Sequence, residues 1–188
     1  MSRRQRYTTL IFFTEGRLLK EPFWSMPLRW KKRLLRKPSR GLLWSHYWAW
    51  LTRTLTRSNY AHVCICADGV IVEIAANRPT QFWPLLGFAM EYPAVSGMFT
   101  IKTPISVDMI RYETPRRPPS PWRSILKWLT GGMVVTSWDC VDLAKDALAQ
   151  IGVTVPHRVF SPGGLHKWLK GQGYEWTQFP PDRFASSR

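Results

Sequence analysis

Acidic residues, cysteines and long apolar runs are all scarce in this sequence. The 188 residues include 12 Asp and Glu against 27 Lys and Arg, which gives a formal net charge of +15. No apolar run approaches the roughly 20 residues that a membrane-spanning helix needs. The short apolar stretch at residues 10–13 is soon interrupted by Glu15 and Arg17. We therefore expect no transmembrane segment and no signal peptide.

The sequence has three cysteines, and so small and odd a number does not fit a framework of disulfide bonds. We expect reduced thiols with a packing or chemical role. A zinc site made of His62, Cys64 and Cys66 is excluded on geometry. Alternate residues of one strand lie about 7 Å apart, which is too wide for one tetrahedral ion. We therefore expect no metal and no cofactor.

The positive charge is concentrated in the first third of the chain. Residues 1–57 hold 14 Lys and Arg against 2 Glu, a net charge of +12 that leaves +3 for the rest. The chain has 11 Trp, and several lie among these basic residues. This pattern favours an anionic partner, such as nucleic acid, lipid headgroups, an acidic cell-wall polymer or an acidic protein, over a merely solvated surface. Nucleic acid is a less favoured partner. The proposed contact residues are Trp24, Trp30, Lys31, Lys32, Arg33 and Arg36.

Hydrophobic periodicity and turn residues predict an α+β domain. Strands are predicted at residues 7–13, 60–66, 70–76, 97–103, 106–112 and 133–136. Helices are predicted at residues 42–56, 124–129, 139–151 and 163–170. The proline-rich segment 114–122 is expected to be a loop.

The segment 60–76 contains two β-rich runs joined by Asp68 and Gly69, which is a strong signal for a two-residue hairpin turn. The register that this turn sets places His62 and Glu73 on one face of the sheet as diagonal neighbours. A carboxylate beside an imidazole fixes the imidazole tautomer and raises its basicity. We expect Glu73 to orient His62.

Cys140 lies at the predicted start of a helix, where Ser137 and Asp139 are both plausible N-caps. Unpaired N–H groups at a helix N-terminus favour a thiolate and can stabilise an oxyanion. With His62 on a neighbouring strand, this arrangement is typical of nucleophilic thiol catalysis. Tyr60 and Asp139 are assigned to substrate or oxyanion contacts.

Three segments resemble circularly permuted NlpC-type papain-like enzymes, in which the His precedes the Cys. Residues 50–76 (WLTRTLTRSNYAHVCICADGVIVEIAA) are similar to their helix, His strand and hairpin. Residues 138–153 (WDCVDLAKDALAQIGV) are similar to their Cys helix, although Asp142 stands where that pattern has Glu. Residues 161–169 (SPGGLHKWL) are similar to their downstream turn and helix. The relation extends more distantly to the lecithin retinol acyltransferase group.

The resemblance implies a papain-like domain that cleaves amide or ester bonds with Cys140, His62 and Glu73 as catalytic residues. It divides the chain into a first strand (1–16), a basic Trp-rich insertion and helix (17–57), a catalytic core (58–180) and a loose tail (181–188). Peptidoglycan peptides are the expected substrate, and peptidoglycan, another anionic polymer or other virion or tail proteins are the expected partners of the basic insertion. Two alternatives stay open: a virion or tail component that keeps the fold with or without activity, and an acyltransferase or lipid hydrolase at a membrane surface. The expected location is cytoplasmic or virion-associated.

Overall fold

The computed structural model describes residues 9–14, 49–74, 80–84, 95–113, 121–133 and 138–178. Within these residues the chain forms a six-stranded antiparallel sheet with helices, which confirms the predicted α+β class. The strands are β1 (Thr9–Thr14), β2 (His62–Ala67), β3 (Val70–Glu73), β4 (Gln81–Pro84), β5 (Val95–Ile101) and β6 (Glu175–Gln178). The helices are α1 (49–56), α2 (Val107–Glu113), α3 (Pro121–Leu129), α4 (Cys140–Ala149) and α5 (Pro162–Gly171).

The hairpin between β2 and β3 forms with the predicted turn. Asp68 and Gly69 have φ angles of 50° and 75°, which a two-residue hairpin turn with matching twist requires. Cys66 pairs with Ile71, as the turn predicts. The local turn chemistry thus fixes which side chains of the two strands share a face.

The sheet has the strand order β4-β3-β2-β1-β5-β6, so the hairpin lies beside β1. Buried residues form two clusters that alternate along the strands, as side chains of period two must. The larger cluster joins β1, β2 and β5 to α4 and α5 and includes Phe13, Ile65 and Leu148. The smaller cluster contains Phe12, Cys64, Cys66, Ile71 and Val95.

Helix α4 packs against β2, as predicted, and buries its apolar stripe there. Asp139 is its N-cap, one residue before Cys140. Helix α5 begins with the N-cap Ser161 followed by Pro162, whose fixed φ suits a first helical turn. Both helices lie within about two residues of their predicted bounds because their capping signals are local.

The predicted strand at 106–112 is wrong, because residues 107–113 form α2. Val107 and Ile110 are buried whereas Met109 is exposed, so burial follows helical spacing rather than strand alternation. Helix α3 also begins earlier than predicted, at Pro121. The short strands β4 and β6 were not predicted.

Several predictions fall on residues outside the described part of the chain. These are the basic Trp-rich contact residues Trp24, Trp30, Lys31, Lys32, Arg33 and Arg36, the strand at 133–136 beyond its first residue, the first seven residues of the helix at 42–56, and the tail. Among the described helices, none is both long enough and apolar enough to cross a bilayer.

Candidate active site

His62 and Glu73 meet at one end of the β2–β3 hairpin. His62 is the first residue of β2 and Glu73 is the last residue of β3. The Nε2 atom of His62 lies 3.3 Å from Oε2 of Glu73, with the His62 side chain 15% exposed and the Glu73 side chain fully buried. The structure therefore brings together the imidazole and the carboxylate that the hairpin register predicts as neighbours.

Two further side chains contact the Glu73 carboxylate. Nε1 of Trp83, on β4, donates a hydrogen bond of 3.0 Å to Oε1. On the other oxygen, the Cys64 thiol donates a longer contact of 3.8 Å to Oε2. The indole holds the carboxylate so that Oε2 faces both His62 and Cys64. Sequence reasoning missed Trp83 because its strand was not predicted, and it treated Cys64 as a packing residue.

Cys140 is the first residue of α4, which begins with a reciprocal capping box. The Asp139 carboxylate accepts hydrogen bonds from the amides of Val141 (2.9 Å) and Asp142 (3.3 Å). The Asp142 carboxylate accepts one from the amide of Asp139 (3.1 Å). This interaction fixes the helix start and hence the position of the Cys140 side chain.

A buried lysine supports this helix start. Lys127 of α3 is 1% exposed, and its ammonium group lies 2.9 Å from Asp139 and 2.5 Å from Asp142. Burial lowers the pKa of Lys127, but the two carboxylates outweigh it and leave the pKa above its usual range. Asp139, a predicted substrate or oxyanion contact, thus has its carboxylate engaged in the cap and in this ion pair. No sequence signal distinguished Lys127 from the exposed lysines Lys102, Lys167 and Lys170.

The three thiols differ in their environments. Burial raises the pKa of Cys64 to about 12, against the lowering effect of His62. Burial also raises the pKa of Cys66. Cys140, by contrast, is partly exposed. Of the three, Cys140 is therefore the one that a reagent or substrate can reach.

His62 interacts with two of these thiols. Burial lowers the pKa of its imidazole, but interactions with Cys64 and Cys140 outweigh burial, so the pKa lies well above the usual 6.5. Cys140 at the start of α4 and His62 at the start of β2 are thus electrostatically coupled in the folded chain. The structure thus brings His62 and Glu73 together at 3.3 Å, and Cys140 is one of the groups that raise the pKa of His62.

Tyr60, the other predicted contact residue, interacts with His166 of α5. Its hydroxyl lies 3.2 Å from Nε2 of His166, and its ring packs edge-on against Phe13. Phe99 and Trp176 complete the aromatic cluster around this histidine. A role of Tyr60 in substrate contact stays a prediction.

Comparison of the chain with protein-family models, with curated proteins and with solved structures gave no match.

Proposed function

We propose that this chain is a cysteine hydrolase with a permuted papain-like fold of the NlpC type. Cys140 is the nucleophile, His62 the general base and acid, and Glu73 the residue that orients His62. The observation that carries the proposal is the His62–Glu73 contact of 3.3 Å, with the imidazole also coupled to the thiol at the start of α4. Nucleophile, base and orienting carboxylate are the three parts that thiol catalysis needs.

Burial selects Cys140 over the other two cysteines. Cys64 is fully buried and Cys66 is 4% exposed, and burial raises the pKa of each. The thiolate is the reactive form of cysteine, so both are poor nucleophiles at neutral pH. Cys140 is partly exposed and lies at a helix N-terminus, where the peptide dipoles favour a negative charge.

The reaction follows from these positions. His62 takes the thiol proton of Cys140, and the sulfur attacks the amide carbonyl carbon to give a tetrahedral intermediate. The C–N bond then breaks as imidazolium returns the proton to the leaving nitrogen, which leaves an amine and a thioester on Cys140. Water, deprotonated by His62, attacks the thioester. The carbon–sulfur bond breaks, the acid is released, and the thiol recovers its proton.

The capping box limits which amides can stabilise the oxyanion. The N–H groups of Val141 and Asp142 point to the Asp139 carboxylate rather than to a ligand. The N–H of Cys140 itself is the amide of this turn that the cap does not use. We assign it as the oxyanion donor on the α4 side, and Asp139 as the residue that positions it.

The proposed substrate is an amide bond of peptidoglycan peptides. A formal net charge of +15 supports an anionic polymer as the partner, because long-range attraction raises the local concentration of such a substrate. The resemblance of three ordered segments to the permuted NlpC-type enzymes supports the same substrate class. A thioester intermediate can also pass its acyl group to an alcohol or amine, so transfer of an acyl group is the alternative reaction that the test must distinguish from hydrolysis.

The test is incubation of the purified chain with peptidoglycan fragments and, separately, with phospholipid vesicles, followed by mass spectrometry of the products. We expect new amino and carboxyl ends in the peptides, loss of the activity in Cys140→Ala, and retention of it in the buried control Cys66→Ala. Cleavage or acyl exchange of lipids alone would overturn the peptide assignment. Activity that persists in Cys140→Ala would overturn the nucleophile. No turnover of either substrate would favour a virion component that keeps the fold.

A further inference from the structure

We infer that His62, Cys64 and Glu73 form a binding site for a thiophilic divalent cation such as Zn²⁺, and that an ion bound there blocks the thiol chemistry. The binding half of this inference is independent of the proposed function, whereas the blocking half rests on it. One ligand atom from each residue lies within 4.8 Å of the others. An imidazole nitrogen, a thiolate and a carboxylate oxygen are the three donor types that zinc sites in proteins use.

The spacing of the donors fits a shared ion. Zinc bonds of about 2.0–2.3 Å at tetrahedral angles place a nitrogen and an oxygen ligand about 3.3 Å apart, and a sulfur and an oxygen ligand about 3.6 Å apart. The observed distances are 3.3 Å between His62 Nε2 and Glu73 Oε2, and 3.8 Å between Cys64 Sγ and the same oxygen. Small side-chain adjustments would therefore suffice to place an ion among them.

This ligand set differs from the strand set that the sequence geometry excludes. Cys66 is two residues along β2 from Cys64 and packs in the smaller apolar cluster, and it is not part of the donor group. Glu73 reaches the site from the neighbouring strand instead. Because Glu73 comes from the neighbouring strand, its carboxylate lies closer to His62 and Cys64 than a third ligand farther along β2 would.

Cys64 is the residue that a catalytic pair alone does not explain. His62 and Glu73 are sufficient for an oriented base, and packing in an apolar cluster does not by itself require a sulfur atom at position 64. Instead, a thiol lies against the carboxylate that also binds the imidazole. Trp83 holds the other carboxylate oxygen at 3.0 Å, as residues behind a metal ligand commonly do.

Binding would consume the groups that the proposed reaction needs. The ion displaces the proton from His62 Nε2, so that the ring keeps a proton on Nδ1 only, and it also takes an oxygen of Glu73, so the hydrogen bond between the two residues is lost. The Cys64 proton leaves to solvent as the sulfur–metal bond forms. With His62 coordinated, no base remains to take the Cys140 proton.

The binding test uses the full chain carrying Cys140→Ser, which removes turnover and one competing thiolate. The metal-stripped protein is titrated with Co²⁺ while the thiolate-to-metal charge-transfer absorption is followed, and Zn²⁺ is then used to displace the Co²⁺. We expect one equivalent to bind with this absorption. Adding Cys64→Ser should abolish the absorption and weaken binding by at least about tenfold, whereas the matched change Cys66→Ser should leave both intact.

Three results would overturn the binding site. The Cys140→Ser chain could show no charge-transfer absorption with Co²⁺, the absorption could survive the added Cys64→Ser, or Cys66→Ser could lose the absorption and the affinity as much as Cys64→Ser does. Circular dichroism checks that each variant folds. If Cys64→Ser does not fold, His62→Ala replaces it, with the same expected loss of binding.

The blocking test uses the chain with Cys140 intact and needs no substrate. Zn²⁺ should slow alkylation of Cys140 by at least about tenfold, a chelator should restore the rate, and Cys64→Ser should show no such protection. Binding without protection would overturn the blocking half alone. The metal-free chain tests the proposed hydrolase separately, so failure of peptide cleavage there is distinguishable from failure of cation binding.

Discussion

The ammonium group of Lys127 lies 2.9 Å from the carboxylate of Asp139, the residue that caps the helix of Cys140. Both side chains are buried, and Asp142 shares the same lysine. The start of α4 thus depends on a residue of another helix. A buried charge that loses its partner lowers the free energy of unfolding by several kcal/mol, so the stability of the fold should depend on this contact.

Lys127→Met should lower the free energy of unfolding by about 3–5 kcal/mol, because it leaves two carboxylates close together without their cation. Chemical denaturation followed by circular dichroism measures the change. The matched control is Lys167→Met, since Lys167 is exposed on α5, and it should change stability by no more than about 0.5 kcal/mol. An equally small effect of both substitutions would show that the ion pair contributes little.

Alkylation should discriminate among the three cysteines. A small alkylating reagent at mildly acidic pH should modify Cys140 first, because Cys64 and Cys66 are buried with raised pKa values. Peptide mapping by mass spectrometry after short exposure measures the order, and labelling in denaturant provides the reference for equal access. Preferential labelling of Cys64 would contradict the assignment of Cys140 as the nucleophile.

Trp83→Phe should impair turnover while leaving the fold intact. The substitution keeps an aromatic ring on β4 but removes the 3.0 Å hydrogen bond that orients the Glu73 carboxylate. We expect kcat to fall by about tenfold or more with little change in KM, as for loss of a group that positions a catalytic residue. Trp122→Phe, at a residue that is 79% exposed, is the matched control. A rise in KM without a change in kcat would instead place Trp83 in substrate binding.

The aromatic cluster around His166 should make stability depend on pH. Burial, with a smaller effect of Lys170, lowers the pKa of His166 below the usual 6.5. The unfolded chain therefore takes up this proton first as the pH falls, so the free energy of unfolding should decrease from pH 6.5 downward. His166→Gln should remove this part of the acid sensitivity, and the exposed control His157→Gln should retain it. Denaturation curves from about pH 7.5 to about pH 5 measure the difference. Parallel curves for both variants would refute the assignment.

A side chain in place of Gly97 on β5 should destabilise the fold. A Cβ at this position would overlap the ring of Trp176 and the carbonyl of Thr177 on β6. We expect Gly97→Ala to cost about 1–3 kcal/mol of unfolding free energy, measured by denaturation. Gly171→Ala is the control, because nothing lies within 4 Å of the added atom at the end of α5. An unchanged stability of Gly97→Ala would mean that β6 moves away at little cost.

Features with a local physical cause were predictable from the chain alone. The turn at Asp68 and Gly69 pairs Ala67 with Val70 and so fixes the hairpin register, and that register brings His62 and Glu73 together. Asp139 caps the helix that begins at Cys140 because its carboxylate reaches amides two and three residues ahead. The prediction that Cys140 lies near His62 came instead from chemistry and resemblance.

Features that depend on distant contacts were missed or wrong. Residues 106–112 were predicted to form a strand, yet burial of Val107 and Ile110 in the main cluster favours a helix. The edge strands β4 and β6 are short and half-buried, so their sequences carry weak patterns.

The hairpin turn and the helix cap could be predicted from the sequence because each depends on residues only two to four positions apart. The α+β class, the hairpin register and the start of the Cys140 helix follow from them. The surroundings of the site were decided by packing between elements far apart in the chain. Trp83 reaches Glu73 because β4 pairs with β3, and Lys127 is buried because α3 lies against the start of α4. Cys64 gains its proposed ligand role only because pairing of β2 with β3 brings Glu73 beside it, and burial raises the pKa of its thiol.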